Sequence, residues 1–274
     1  MSQTAKDIIS ANIQTLIAQL NEGKSEALTA YLNAMSSFHS YSFGNIMQIA
    51  RQRPDASRVA GFNAWKALGR NVKKGEKGIQ ILAPMIGKKK TETEGVGEEN
   101  TKAIYGFRAV YVFDVTQTEG AELPAISSRV QGEVGAHLVQ LRGFAESQAI
   151  AIEYAESIAP ALGMSYGGKI AILPGQSEAE EFATLVHEIA HEMLHKGARR
   201  AETSKTMRET EAEAVSFIIT RAIGLDTGSA ACDYIQLYNG DAETLASSLE
   251  AIQKASHAIL TAIQSAGMAE TIAA

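Results

Sequence analysis

The sequence predicts an α+β chain of two domains: a front half of helices with antiparallel strands, and a mainly helical back half with a small sheet. Three observations predict this. Apolar residues recur at helical spacing over the first 35 residues and again through most of the last 140 or so. Strand signals, short runs rich in β-branched and aromatic residues, are confined to residues 79–82, 105–115 and 169–173. The charge also changes sign along the chain. Residues 1–90 carry 13 Lys and Arg against 5 Asp and Glu, and the remainder carries 12 against 26, within a net charge of −6.

The elements follow in order. Residues 4–20 read as a helix through Leu16, Ile17 and Leu20, and residues 25–35 as a second through Leu28, Tyr31 and Leu32. Tyr41 to Ala50 suits a third. Ala60 to Leu68 holds Phe62 and Trp65, and Gly69 to Gly78 is a basic, glycine-punctuated loop. Ile79 to Leu82 reads as a strand ended by Pro84, and Tyr105 to Val115 as its antiparallel partner. Residues 87–103 are charged and lack apolar periodicity, so a mobile loop is expected there. Residues 116–133 read as a linker, which sets the domains at 1–120 and 134–274. A helix is expected near 134–156, a strand at Lys169 to Leu173, then two helices, one from Ser177 and one over Arg208 to Ile223. Ser229 and Asp241 are expected to cap two closing helices, the last carrying Leu245, Leu249, Ile252, Ile259 and Ile263.

Composition narrows the class. An apolar content of 45% is ample for folded cores, and a lone Cys232 excludes a disulfide framework and fits a reducing compartment. The N-terminus lacks the charged-then-apolar pattern of a secretion signal, and no apolar run nears the ~20 residues of a membrane span. A cytoplasmic protein without membrane contact is expected.

His187-Glu188-Ile189-Ala190-His191 is the most informative motif. On a helix, residues i and i+4 share a face, so both imidazoles reach one metal ion. Glu188 lies on the flank of that site, where it can take a proton from a water polarised by the ion. The setting agrees: Ser177 and Glu180 form a capping-box signature, and Phe182, Leu185, Val186, Ile189, Ala190, Met193 and Leu194 trace a core-facing stripe. His195, one turn on, either caps the helix or assists the site. A third ligand is required, with an open fourth position, and the next helix offers Glu209, Glu211 and Glu213. Periodicity leaves the choice open. Glu211 falls on the stripe of Val215, Ile218, Ile219 and Ala222, where a buried carboxylate needs a cation. Glu209 and Glu213 stack at i, i+4 and repel unless something positive sits nearby.

The basic front half interleaves aromatics with cations, the mixture that grips single-stranded nucleic acid through phosphates and unstacked bases. Tyr41, Phe62 and Trp65 are the candidate stacking residues. Arg58, Arg70, Lys73, Lys74 and Lys77 are the candidate phosphate contacts. The Gly69–Gly78 loop lacks the GxxxxGK[ST] arrangement of a P-loop.

At this point the chain resembles the ArdC-type antirestriction proteins. Tyr41-Ser-Phe-Gly-Asn45, Arg53-Pro-Asp-Ala56, Val59-Ala-Gly-Phe62, Trp65-Lys-Ala-Leu-Gly-Arg70, Lys74-Gly-Glu-Lys-Gly-Ile79 and Val112-Phe-Asp-Val-Thr-Gln117 carry the resemblance in front. Leu185-Val-His-Glu-Ile-Ala-His191, Ala212-Glu-Ala-Val215 and Tyr234-Ile-Gln-Leu-Tyr-Asn-Gly-Asp241 carry it behind. The resemblance implies an N-terminal single-stranded-DNA-binding domain and a C-terminal zincin-like metallopeptidase domain. It implies protection of incoming DNA of a plasmid or other mobile element from host restriction. In that pattern His187 and His191 are metal ligands, Glu188 is the catalytic base, and Glu213 is the third ligand with Glu211 as runner-up. The expected ion is zinc, with manganese as the alternative. The expected partners are single-stranded DNA and an unidentified protein substrate. An extended substrate is expected to pair with the strand at Lys169–Leu173, and Tyr166 and Tyr234 are the candidates for stabilising an oxyanion. The competing reading is a regulatory metalloprotease that cleaves a repressor or host protein, with the front half recognising a protein partner.

Overall fold

A computed structural model describes residues 5–22, 26–93, 96–121, 134–225 and 242–272. The chain forms two compact units, Met1–Asn12 with Gly44–Leu123 and Ile13–Phe43 with Pro124–Ala274. Residues 13–43, expected in the front domain, thus group with the back half. The reason is burial. Helix α1 (Ala5–Asn21) buries Ile13, Leu16, Ile17 and Leu20, and α2 (Glu26–Phe38) buries Leu28, Leu32 and Met35. The face of α2 packs on a helix of the back half, described below.

The front unit begins with α3 (Phe43–Gln52), β1 (Val59–Gly61), α4 (Phe62–Ala67) and β2 (Arg70–Val72). A long antiparallel hairpin follows, β3 (Ile79–Thr93) and β4 (Val96–Asp114), then a 3-10 turn and β5 (Thr118–Gly120). The sheet order is β1-β4-β3, with β2 and β5 as a separate ribbon. The loop expected over residues 87–103 is instead strand: Gly87 pairs with Ala103 and Thr93 with Val96. A ladder satisfies backbone groups whatever the side chains are, so the lack of apolar periodicity did not reveal it. Pro84 does not end the strand either. It pairs with Phe107 on β3, an edge strand, where a missing N–H is tolerated.

Two amides of α3 close part of the β3 edge. Asn45 Nδ2 donates to the Leu82 carbonyl at 2.8 Å and Leu82 N–H donates to Asn45 Oδ1 at 2.9 Å. One turn pair further on, Gln52 does the same with Gln80, at 2.8 and 3.0 Å. Each amide imitates a neighbouring strand and occupies edge groups that would otherwise pair with another chain. Asp114 organises the other end of the hairpin. Fully buried, it accepts from Ser57 N–H, Arg58 N–H, Thr116 N–H and the Thr116 hydroxyl.

The back unit contains α5 (His137–Ser147), β6 (Ala151–Tyr154), β7 (Gly163–Ser165), β8 (Lys169–Ile172), α6 (Glu178–Leu194), α7 (Gly197–Glu202), α8 (Lys205–Ala222) and α9 (Ala242–Ile272). The helix expected near 134–156 is shorter than that span. It stops at Ser147, Ala149 takes a left-handed conformation at φ 57°, and residues 151–154 pair in parallel with β8. Pairing with a strand distant in sequence overrides the local preference there. The sheet order is β6-β8-β7, so β8 is central and β7 is an edge. Phe182, Leu185, Val186 and Ile189 of α6 meet a core with Val215, Ile218 and Ile219 of α8 and Leu245, Leu249 and Ile252 of α9. It is α8 that α2 covers. Ser229, Cys232, Tyr234 and Asp241 lie outside the described residues. No helix among the described residues is long and apolar enough to cross a membrane.

Candidate functional site

Helix α6 sets the site. Its N-terminus carries the expected capping box: Glu180 N–H reaches Ser177 Oγ at 3.3 Å, and Ser177 N–H donates to Glu180 Oε2 at 3.0 Å. With that end closed and its apolar stripe buried, the helix presents His187, Glu188 and His191 at the border of the core.

The two Nε2 atoms of His187 and His191 approach to 3.1 Å. Glu209 Oε2, from α8, lies 3.5 Å from each of them. Among the described residues, His187, His191 and Glu209 form a group whose donor atoms all lie within 4.8 Å of one another. Glu213, the third ligand that the resemblance implies, is placed differently. Its Oε2 lies 3.5 Å from the other ring nitrogen, Nδ1 of His187. It faces the Nδ1 side of the ring, while Nε2 is turned toward the convergence point. The i, i+4 repulsion between Glu209 and Glu213 is relieved because His187 stands between them.

Glu211, the runner-up, is fully buried and does have the cation that burial requires, but it is a guanidinium. Arg199 donates to its Oε1 at 2.5 Å, Ser248 Oγ donates to the same oxygen, and His195 Nε2–H donates to Oε2 at 2.9 Å. A carboxylate only accepts, so a His195 ring proton is directed at Glu211, and in that tautomer Nδ1 accepts from His191 Nδ1–H, 2.9 Å away. The relay therefore holds the His191 Nε2 lone pair toward the same point as that of His187. His195 does not simply cap the helix.

The electrostatics follow from this arrangement. Burial opposes a charge on His187, but hydrogen bonds to Glu209 and Glu213 and the nearby Glu188 carboxylate outweigh it and push the ring up to about 9. Burial and the charge of His187 push His191 down to about 4. The hydrogen bond to His187 holds Glu209 down to about 2. Glu188 is pushed up, mainly by burial. Two imidazole nitrogens and a carboxylate oxygen that converge within 3.5 Å repel one another unless a proton or a cation lies between them. A donor set of two nitrogens and one oxygen suits zinc or another first-row divalent ion, so the residues present fit a metal of that class.

The Glu188 side chain lies against the edge strand β7. A Cβ on Gly163 would stand 2.8 Å from Glu188 Cγ and 2.6 Å from Thr184 Cγ2, so only glycine lets the strand come this close to α6. Glu192, nearly fully buried on α6, holds the turn after β7 by accepting from Gly167 and Gly168 N–H, both at 2.7 Å. The strand at Lys169–Leu173, expected to pair with a substrate, is occupied on both edges; among the described residues the outer edge beside Glu188 belongs to β7, whose Ser165 N–H turns to the Glu188 carboxylate. Tyr166, exposed, follows that strand.

The expected nucleic-acid contacts divide. Trp65 is 2% exposed and donates from Nε1 to the Phe113 carbonyl, so it is core and not a stacking residue. Arg70 is tied to the Thr118 hydroxyl, the Thr118 carbonyl and the Ala121 carbonyl, joining β2 to the end of β5. Lys73 donates to the Thr116 carbonyl at 3.0 Å, Arg58 is half-buried, and Tyr41 is half-buried edge-on to Phe38. Phe62, Lys74 and Lys77 are exposed.

The chain is similar to known proteins in its front half and in its fold. Residues 2–113 match the N-terminal domain of anti-restriction factor ArdC. The fold matches the crystal structure of antirestriction protein ArdC from plasmid R388 in its metal-free form, with a TM-score of 0.55 at 18% identity over 94% of this chain and 98% of that one. Residues 2–113 thus carry an ArdC N-terminal domain, and the chain shares the fold of the R388 protein. The Mn(II)-bound structure of the R388 protein matches with a TM-score of 0.54, also at 18% identity, over 92% of this chain and 97% of that one. An uncharacterized Bacillus anthracis protein, pXO2-81, is 26% identical over 250 residues, 77% of this chain and 42% of that protein. The chain thus matches less than half the length of this curated relative.

Proposed function

We propose that this ArdC-type chain protects incoming mobile-element DNA from restriction by binding its single-stranded form through the front unit, and that the back unit is a metal-dependent peptidase-like module. The observation that carries the reading is the presence, in one chain, of an ArdC N-terminal domain and a convergent His187–His191–Glu209 donor set. The basic loop, with Lys74 and Lys77 exposed, supports contact with phosphates.

In this reading His187, His191 and Glu209 hold a divalent ion, zinc or the manganese that the R388 protein binds. Glu213 and the His195–Glu211 relay orient the two imidazoles. A bound ion would supply Lewis-acid polarisation of a water and of a peptide carbonyl. Glu188, shielded from solvent beside β7, accepts a proton at its carboxylate and returns it to the leaving amine. The outer edge of β7 offers an extended protein substrate its remaining N–H and C=O groups, the Ser165 N–H being taken by the Glu188 carboxylate.

The test is fluorescence anisotropy of the full chain with labelled single-stranded and duplex DNA of equal length across a salt series. The expected result is tight, salt-sensitive binding that prefers the single strand. Equal, weak binding to both would refute the DNA half of the reading and favour a protease that recognises a protein partner.

A further inference from the structure

The hairpin β3–β4 has two unlike faces. Alternate residues of a strand share a face, and the register pairs Ile79 with Val112 and Ile81 with Val110 on the side that enters the core. The opposite face pairs Gln80 with Tyr111, Leu82 with Ala109, Pro84 with Phe107 and Ile86 with Ile104. On it, Phe107 is 54% exposed, Tyr111 58%, Ile86 61% and Ile104 62%. Aliphatic and aromatic groups of this size, gathered on one solvent-facing side of a sheet, mark a contact surface.

From this face we infer that Phe107 and Tyr111 are the platform on which unstacked bases of single-stranded DNA lie. The inference rests on the single-strand reading above and names the surface that does the binding. Charge selects this occupant. Residues 70–90, which lead into and along β3, contain seven Lys and Arg against one acidic residue, Glu76. The loop reaches the aromatic face at Gly78, where a Cβ would stand 2.9 Å from Tyr111 Cβ and 3.1 Å from the Phe113 ring. Exposed Lys74 and Lys77 lie immediately before that point. Cations beside exposed rings are the combination that takes phosphates and base faces together.

Spacing favours a flexible single strand. Phe107 and Tyr111 are four residues apart on one strand, about 13 Å at ~3.3 Å per residue. Between them stands the small side chain of Ala109, with half-buried Leu82 beside it across the hairpin. Rings on a flat sheet reach base faces only where stacking within the nucleic acid is broken, which excludes an intact duplex. Phe62, a third exposed ring of this unit, directly follows Gly61, the partner of Val112 on β4.

The experiment uses the full chain and a labelled oligothymidine. Binding is measured across a salt series for the wild type, Phe107→Ala, Tyr111→Ala, the double variant, Tyr111→Phe, and Lys74→Ala with Lys77→Ala. Each ring-to-alanine change is expected to weaken binding about tenfold at every salt concentration without changing the salt slope. Tyr111→Phe keeps wild-type affinity, and the lysine pair lowers the slope. Phe107→Leu with Tyr111→Leu keeps an apolar face without rings, so a poorly folded alanine variant does not decide the matter. Wild-type affinity in the folded leucine pair overturns the stacking platform but leaves single-strand binding intact. A wild type that does not prefer the single strand overturns both.

Discussion

Glu209 and Glu213 sit one turn apart on α8, and replacing each with alanine separates a ligand from an orienting residue. Removing Glu209 deletes one of the three converging donors. Four-ligand zinc sites are worth about 10–16 kcal/mol, or about 2.5–4 kcal/mol per ligand, which corresponds to a Kd weaker by roughly 60- to 700-fold. Removing Glu213 takes away only the partner of His187 Nδ1, 3.5 Å away and more than half exposed, so a loss of about tenfold is expected. His195→Phe breaks the relay to Glu211 and should weaken binding about 10- to 100-fold, although His195 touches no converging atom. Competition against a chromophoric chelator, with zinc and then manganese, measures all three. If Glu213→Ala abolishes binding while Glu209→Ala leaves Kd unchanged, the assignment read from the two ring nitrogens is wrong.

Two further outcomes follow from the framework around the site. Burial opposes the Asp114 charge, yet hydrogen bonds from Thr116, Ser57 and Arg58 hold its carboxyl below the ordinary value. Its contribution is therefore present above the unfolded-state value of about 4 and is lost as pH falls through the depressed folded value. Asp114→Asn should cost about 2–3 kcal/mol at neutral pH, and urea titration should show the gap from wild type narrowing below about pH 4. A gap independent of pH would refute the ionised network. Gly163→Ala forces a Cβ against Thr184 and Glu188, an overpacking of about 1–3 kcal/mol. Thermal melting should show a Tm lower by several degrees, and an unchanged Tm would mean that β7 does not need to lie so close to α6.

Much of the site was legible in the sequence. The capping box, the apolar stripe and the His187-Glu188-x-x-His191 spacing are local, and local geometry follows from helical periodicity. The apolar stripe of α8 placed Glu211 in the core beside a cation, which favoured it as a metal ligand, whereas the cation there is Arg199. Aromatic positions were harder to read. Trp65, Phe107 and Tyr111 look alike in a list of rings, yet one is core and two are exposed. The alternation of Val110 and Val112 with Phe107 and Tyr111 did contain the answer, because it puts β-branched residues and rings on opposite faces.

By itself, the sequence determined the α+β class, the motif helix and the two histidines, because each depends on residues within a few turns of one another. Tertiary structure alone decided which of three glutamates faces both Nε2 atoms, which described strand lies at the sheet edge beside Glu188, and how far the charged hairpin extends. Each of those choices depends on a rotation or register set between elements distant in the chain. On α8, one turn of helix exchanges Nε2 for Nδ1 as the nitrogen that a carboxylate faces, and only the packing of α8 against α6 sets that rotation.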